Sequence, residues 1–361
     1  MRSVIRLYIF ILLGVPVLSC QAQKDIDKDK LSVFINQKAD SLYKAEKVPG
    51  IFICVLNNGV RQYYNFGFAD PDLKMPFDST TLFEIGSLTK TFTAYVLESV
   101  LKEKRISDST TIIKYLPDSL QQNKALEKIT FLSLLNHTSG LPRLPDNMNL
   151  VSQAMAPYDN YTSDDLFAYL KKCTPKPDGK SNYSNLGGGL AGVLAERISG
   201  KKYASLLDEY IFLPFKMVTP DKSIVKTANK SQGYFENKKS AYWNMDVMAP
   251  AGGLKCSGSE MLTYLQTMAE PGTEKLKIII NQLLEPTVSI NTSIHVCRAW
   301  HTLEQKEKPI IYWHNGGTYG FSTFGAFIKG QSKAVMVVIN QFNKNAVSDG
   351  LGIAIMKKML E

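Results

Sequence analysis

Phe83-Glu84-Ile85-Gly86-Ser87-Leu88-Thr89-Lys90-Thr91-Phe92-Thr93-Ala94-Tyr95-Val96-Leu97 passes from an extended apolar stretch, through a glycine, into a helical pattern. Ser87 is thereby placed at a helix start. The dipole and free backbone amides of a helix start favour an oxyanion, and Lys90 falls about one turn on, on the same face as Ser87. A serine hydroxyl one turn from a lysine amine is the simplest arrangement that makes serine nucleophilic. The bare Ser-x-x-Lys pattern is unselective, because it recurs at Ser41/Lys44, Ser99/Lys102, Ser199/Lys202 and Ser223/Lys226. The first two read as exposed helix positions, the third straddles Gly200 at a helix end, and the fourth lies in an unpatterned stretch. Only Ser87/Lys90 joins a strand to a helix.

Upstream, Leu31, Phe34, Ile35, Ala39 and Leu42 recur at helical spacing, which predicts an amphipathic helix ending before Pro49. Residues 51–56 and 60–66 are β-rich and flank Asn57-Asn58-Gly59, whose Asn-Gly pair supplies the positive φ angles of a tight hairpin turn. At the other end, 310–313, 321–328 and 334–340 read as strands and 350–360 as an amphipathic closing helix. Between them, 97–213 is mostly helical in pattern, with Thr130 capping 131–135, Ser163 capping 164–170, and 186–198 as a longer helix. A helical region interrupting one sheet predicts an α+β fold. Both chain ends complete a single antiparallel sheet flanked by the terminal helices, with a mostly helical insert at about 97–213.

Arg2 and Arg6 precede a short apolar run, residues 8–13, that ends in small residues near Pro16. Such a run reads as an export signal rather than a membrane span. Val17-Leu18-Ser19-Cys20 resembles a bacterial lipobox, which makes Cys20 a lipidation candidate; the alternative is ordinary cleavage after Ala22. Either route predicts a chain placed outside the cytoplasm, periplasmic or lipid-anchored, with residues 1–22 as the signal. Residues 23–361 suit one composite domain or two interleaved ones.

The whole chain carries 42 Lys and Arg against 33 Asp and Glu, a balance of +9. Without Arg2 and Arg6 the counts are 40 and 33, or +7, spread with no basic block or aromatic interleaving. This argues against nucleic acid as a partner. A mild basic balance could favour anionic wall polymers such as peptidoglycan, but plain solubility is the better reading of it. Cys54, Cys173, Cys256 and Cys297 lie far apart with no CxxC, so they read as core thiols. His137, His295, His301 and His314 form no HExxH and no Cys/His cluster, so no metal is expected.

Two further stretches carry chemistry. Tyr183-Ser184-Asn185-Leu186-Gly187-Gly188-Gly189 delivers a tyrosine and an asparagine just before a glycine-rich helix start. Tyr-x-Asn recurs at Tyr63/Asn65, Tyr158/Asn160 and Tyr242/Asn244, but only Tyr183/Asn185 precedes glycines that admit another backbone. A tyrosine beside a lysine ammonium is expected to lose its proton below its usual ~10 and to act as a general base. His314-Asn315-Gly316-Gly317-Thr318-Tyr319-Gly320-Phe321 follows one strand and precedes another, and His-x-Gly occurs nowhere else in the chain. An edge strand rich in glycine lets a substrate backbone pair beside it and supplies an amide for an oxyanion hole.

Ser87/Lys90, Tyr183/Asn185 ninety-six residues on, and His314/Gly316 after a further 131 together resemble the serine β-lactamase and penicillin-binding protein family. The class C and DD-carboxypeptidase-like branch fits best. Leu134-Leu135-Asn136-His137-Thr138-Ser139-Gly140-Leu141-Pro142 is similar to that branch's His-Thr-Ser-Gly-Leu segment, and Ala249-Pro250-Ala251-Gly252-Gly253-Leu254 to its Pro-Ala-Gly-Gly-Leu segment. The class A Ser-Asp-Asn signature is absent, which argues against the branch that deacylates with a separate glutamate.

The resemblance implies Ser87 as acylated nucleophile, Lys90 as its activating partner and Tyr183 as base toward the serine and later the deacylating water. It implies that Asn185 holds Lys90 and the substrate amide. The amides of Ser87 and Gly317 would form the oxyanion hole, the strand from His314 through Gly316 to Thr318 would bind substrate, and no cofactor is implied. Where many class C enzymes have a lysine in Lys-Thr-Gly, this chain has His314-Asn315-Gly316. Histidine titrates near ~6.5, so a weaker, pH-dependent field is expected there. The implied substrates are β-lactams, D-amino acid peptides or small esters, and the alternative to turnover is a wall sensor that acylates once and stops. Segments 145–159 and 223–246 are the long loops placed to shape a cleft.

Overall fold

Ile51, Ile53 and Val55 point to one side of their strand and Phe52, Cys54 and Leu56 to the other, and all six are buried. A strand alternates its side chains between two faces, so this one has a packed layer on each side. The computed structural model describes residues 17–148, 155–217 and 229–361. Its helices are α1 Val17–Glu46, α2 Thr89–Glu103, α3 Asp118–Gln121, α4 Phe131–Leu135, α5 Ser163–Lys172, α6 Asn185–Ser199, α7 Tyr203–Leu207, α8 Ala249–Gly252, α9 Gly258–Ala269, α10 Glu274–Leu283 and α11 Asn345–Lys358. Its strands are β1 Gly50–Asn57, β2 Val60–Gly67, β3 Leu82–Glu84, β4 Gly233–Phe235, β5 Lys238–Ser240, β6 Lys255–Ser257, β7 Val288–Ser289, β8 His295–Val296, β9 His301–Leu303, β10 Ile311–Gly317, β11 Ser322–Ile328 and β12 Lys333–Ile339.

The α+β architecture expected from the two chain ends is present. An eight-stranded antiparallel sheet runs β2-β1-β12-β11-β10-β9-β8-β7, and β1 pairs with β12 from Ile51 opposite Ile339 to Asn57 opposite Lys333. Leu31, Ile35 and Ala39 of α1 and Leu351, Ile355 and Met356 of α11 cover one face over Ile53, Phe324 and Val337. Phe52, Phe327, Met336 and Val338 on the other face join the large core shared with α2, α6 and α9. Asn57 pairs with Val60, leaving Asn58 (φ 50°) and Gly59 (φ 82°) as the two-residue hairpin turn. Among the described residues no helix is long and apolar enough to cross a membrane, and the apolar run 8–13 lies outside them.

Several local readings shift. Thr162, not Ser163, caps α5: its side chain accepts from the Asp165 amide while Asp165 accepts from the Thr162 amide. Both residues are good caps, and the acid three positions after Thr162 decides between them. Helix α11 starts five residues before the expected 350, because Ala346 and Val347 are the only apolar residues from Asn345 to Asp349 and being adjacent they show no helical period. Ser99 is buried rather than exposed, with its hydroxyl on the Tyr95 carbonyl at 2.7 Å. The four cysteines from Cys54 to Cys297 are buried free thiols, as core packing requires.

Candidate active site

Short strand β3 pairs with β6, Glu84 opposite Lys255, outside the main sheet. Gly86 then turns with φ +54°, and a 3₁₀ turn, Gly86–Leu88, leads into α2. Ser87 therefore stands in the turn just ahead of the helix. A Cβ on Gly86 would lie 2.6 Å from the Gly317 amide nitrogen, and one on Gly316 would lie 2.0 Å from the Ile85 carbonyl. Two glycines are what let the serine turn and β10 touch. The Thr323 hydroxyl, donating to the Ile85 carbonyl at 2.9 Å, ties the turn to β11.

Lys90, 2% exposed, lies behind Ser87. Its Nζ is 3.1 Å from Ser87 Oγ, 2.8 Å from Asn185 Oδ1 and 2.6 Å from the Ala251 carbonyl. The segment around Pro250 thus serves this amine through the Ala251 carbonyl. Burial first, and then the nearby charge of Arg143, hold Lys90 well below the usual lysine range. A neutral amine has two N–H donors and one lone pair. Asn185 and Ala251 offer only acceptors, so in that state the lone pair is left for the Ser87 hydroxyl proton.

Asn185 opens α6, where the Ser184 side chain caps the Gly187 amide at 2.9 Å. Its amide Nδ2 donates to the Tyr158 hydroxyl at 3.0 Å. Tyr183 stands one residue before the cap, with Lys90 Nζ 4.8 Å and the Arg143 guanidinium carbon 5.2 Å from its ring centre. The phenol is not eased toward ionisation. Burial pushes it above its usual value, against the pull of the Ser87 hydroxyl and the Arg143 charge, and it makes no hydrogen bond of ordinary length and angle. The expected driving charge is weakened because Lys90 is itself shifted toward the neutral amine.

His314 departs furthest from expectation. It is 1% exposed and lies beneath the cleft, 6.4 Å from the Tyr183 ring and 5.5 Å from His301. Its Nδ1 donates to the Asn315 carbonyl, and Nε2 is enclosed without a partner. Burial first, then the charges expected on His301 and Lys90, hold it well below the ordinary histidine value. The pH-dependent field near ~6.5 is therefore replaced by a neutral imidazole. His137, in contact with the Tyr183 ring at 4.5 Å, is held low for the same first reason.

The cleft, about 630 Å³, is lined by Ser87, Tyr183, Asn185, Gly316, Gly317 and Thr318 among others. Strand β9 pairs with β10 only from Leu303 opposite Ile311 to His301 opposite Trp313. Beyond Trp313, β10 has a ladder partner only in β11, which makes its last residues the local edge that the sequence implied for the whole strand. Thr318 is committed inward, its hydroxyl donating to Glu84 at 2.6 Å. Several lining residues had no sequence assignment. Arg143 directly follows the Gly-Leu-Pro segment, Tyr158 figured only as a competing Tyr-x-Asn match, and Asn345 holds the Gly316 carbonyl at 2.8 Å. The long loops contribute Pro157, Tyr158, Trp243 and Met245; residues 149–154 and 218–228 lie outside the described residues.

Comparison with known proteins assigns the chain a family. The family model described as Beta-lactamase matches residues 35–357. A β-lactamase of Providencia stuartii is 27% identical over 62% of this chain, and the match spans 56% of that protein's length. A β-lactamase of Yersinia enterocolitica is 26% identical over 76% of this chain and 70% of its own. The solved structure of a β-lactamase/D-alanine carboxypeptidase from Pseudomonas syringae superposes with a TM-score of 0.78 at 21% identity, covering 91% of this chain and 99% of that one. With the family model spanning nearly the whole described fold, the chain belongs to the Beta-lactamase family.

Proposed function

We propose that this protein is an exported serine hydrolase of the class C-like branch that works through an acyl-enzyme on Ser87. The observation that carries the reading is Lys90 Nζ, 3.1 Å from Ser87 Oγ with its other two contacts filled by acceptors. Lys90 takes the Ser87 proton as Oγ bonds to the substrate carbonyl carbon. The Ser87 and Gly317 amides receive the oxyanion, and collapse breaks the bond to the leaving group, which takes a proton through Tyr183. Water then attacks the ester and frees the acid. The substrate is a β-lactam or a related D-amino acid peptide, with small esters as the alternative of the same chemistry. The name of the Pseudomonas relative supports both of the first two.

Intact-mass measurement after exposure to fluorescent penicillin and to an activated phosphonate tests this. One adduct is expected on the wild type and none on Ser87→Ala; an adduct that survives the substitution overturns the assignment. The same fluorescent label locates the protein in fractionated cells. Export is supported by Arg2, Arg6 and the apolar run after them, with Cys20 as the candidate lipid site, and a label confined to the cytoplasm overturns it.

A further inference from the structure

In acyl transfer on Ser87, Arg143 acts only through the effect of its charge on Lys90 and Tyr183, yet among the described residues that line the cleft it is the one with a formal charge, and none is acidic. The residue is exposed at the mouth. Its backbone carbonyl accepts from the amides of Asn185 at 2.9 Å and Leu186 at 3.3 Å, which fixes the base of its side chain to the start of α6. Arg298, by contrast, is buried and held by Asp108 and Glu98 at 2.7 and 3.4 Å. Arg143 forms no ion pair with any described acid.

The other basic groups near the site cannot receive an anion. Lys90 has all its hydrogen-bonding capacity taken by Ser87, Asn185 and Ala251. His314 is buried and turned to the Asn315 carbonyl. Leu144, Pro157, Tyr158 and Trp243 line the same cleft, so a substrate seated among them displaces water from beside the guanidinium, which strengthens a charge pair relative to open solvent. A planar guanidinium presents paired donors that match a carboxylate.

We propose that Arg143 determines specificity by binding a carboxylate on the substrate, so that the cation serving this cleft stands on the helical wall rather than on β10. The proposal rests on the Ser87 acyl-transfer reading. Its test uses benzoylglycylthioglycolate, whose leaving group carries a carboxylate, and the neutral methyl ester of the same compound, with thiol release giving kcat/KM for each. The wild type is expected to favour the acid. Arg143→Gln lowers the acid-to-ester ratio about tenfold, the scale of one hydrogen bond to a charged group, and Arg143→Lys, which keeps the charge without the paired donors, restores part of it. Because both substrates meet one preparation, the ratio is independent of the folded fraction.

A ratio unchanged in Arg143→Gln, or lowered equally in both variants, overturns charge recognition by Arg143 while leaving acyl transfer standing. A wild type that turns over neither compound and forms no Ser87 adduct overturns the acyl-transfer reading and this proposal with it.

Discussion

The helical wall of the cleft acts through side chains and the strand wall through backbone. On the helical wall Lys90, Asn185 and Tyr158 form a chain of contacts between 2.8 and 3.1 Å that ends at Ser87. On the strand wall the side chains are turned to other work: His314 is buried beneath, Thr318 is bound to Glu84, and Asn315 donates to Asp349 at 2.6 Å. What β10 presents to the cleft is glycine and a local free edge. The two walls therefore tolerate change differently, since a side-chain wall fails by substitution and a backbone wall fails by displacement.

Lys90→Met breaks the helical wall most directly, because it keeps much of the buried volume and removes the amine. The rate of Ser87 adduct formation, followed by intact mass, is expected to fall about 10²- to 10⁴-fold, the range for loss of one positioned proton-transfer group. A fall of less than about tenfold would mean that Ser87 is activated by another base, and the contrast between the walls would dissolve.

How far the sequence reached follows the same division. Ser87, Lys90, Tyr183 and Asn185 were legible because each sits at a strand-to-helix or loop-to-helix junction, where capping and glycine leave a local signature. The pairing of β1 with β12 was legible from apolar alternation at the two chain ends. The state of His314 was not, since a motif gives the residue but not the burial that sets its charge. Arg143 and Asn345 were not either: each reaches the cleft through tertiary contacts, Arg143 through its carbonyl on α6 and Asn345 through the Gly316 carbonyl. Thr162 was missed for a local reason that the sequence did contain, the acid at the third helical position.

His301 gives the next largest effect, on stability. Its ring stacks on Trp313 at 4.7 Å, and burial lowers its pKa to about 4. In the unfolded chain it titrates near ~6.5. Above that pH both states are neutral and it contributes no pH dependence. As pH falls from 6.5 toward 4, the unfolded chain takes a proton that the folded chain refuses, so stability is lost at about 1.4 kcal/mol per pH unit. Between pH 7 and pH 5, His301→Gln should therefore lose about 2 kcal/mol less than the wild type in urea unfolding. Equal losses would mean that His301 is solvated, and the buried imidazole layer under the strand wall would have to be redrawn.

His314 should show the smallest effect, and it decides which wall is charged. Protonating it would place a charge in a buried site whose Nε2 has no partner, and burial is the first cause that holds it low. It therefore does not change charge near the ordinary histidine value, and glutamine can donate to the same Asn315 carbonyl. The pH profile of kcat/KM in His314→Gln is expected to keep the wild-type inflections, whatever the change in absolute rate. An inflection near ~6.5 that disappears only in this variant would mean a histidine cation under β10. The strand wall would then act through a side chain after all, and the carboxylate assigned to Arg143 would have a competing partner on the opposite side of Ser87.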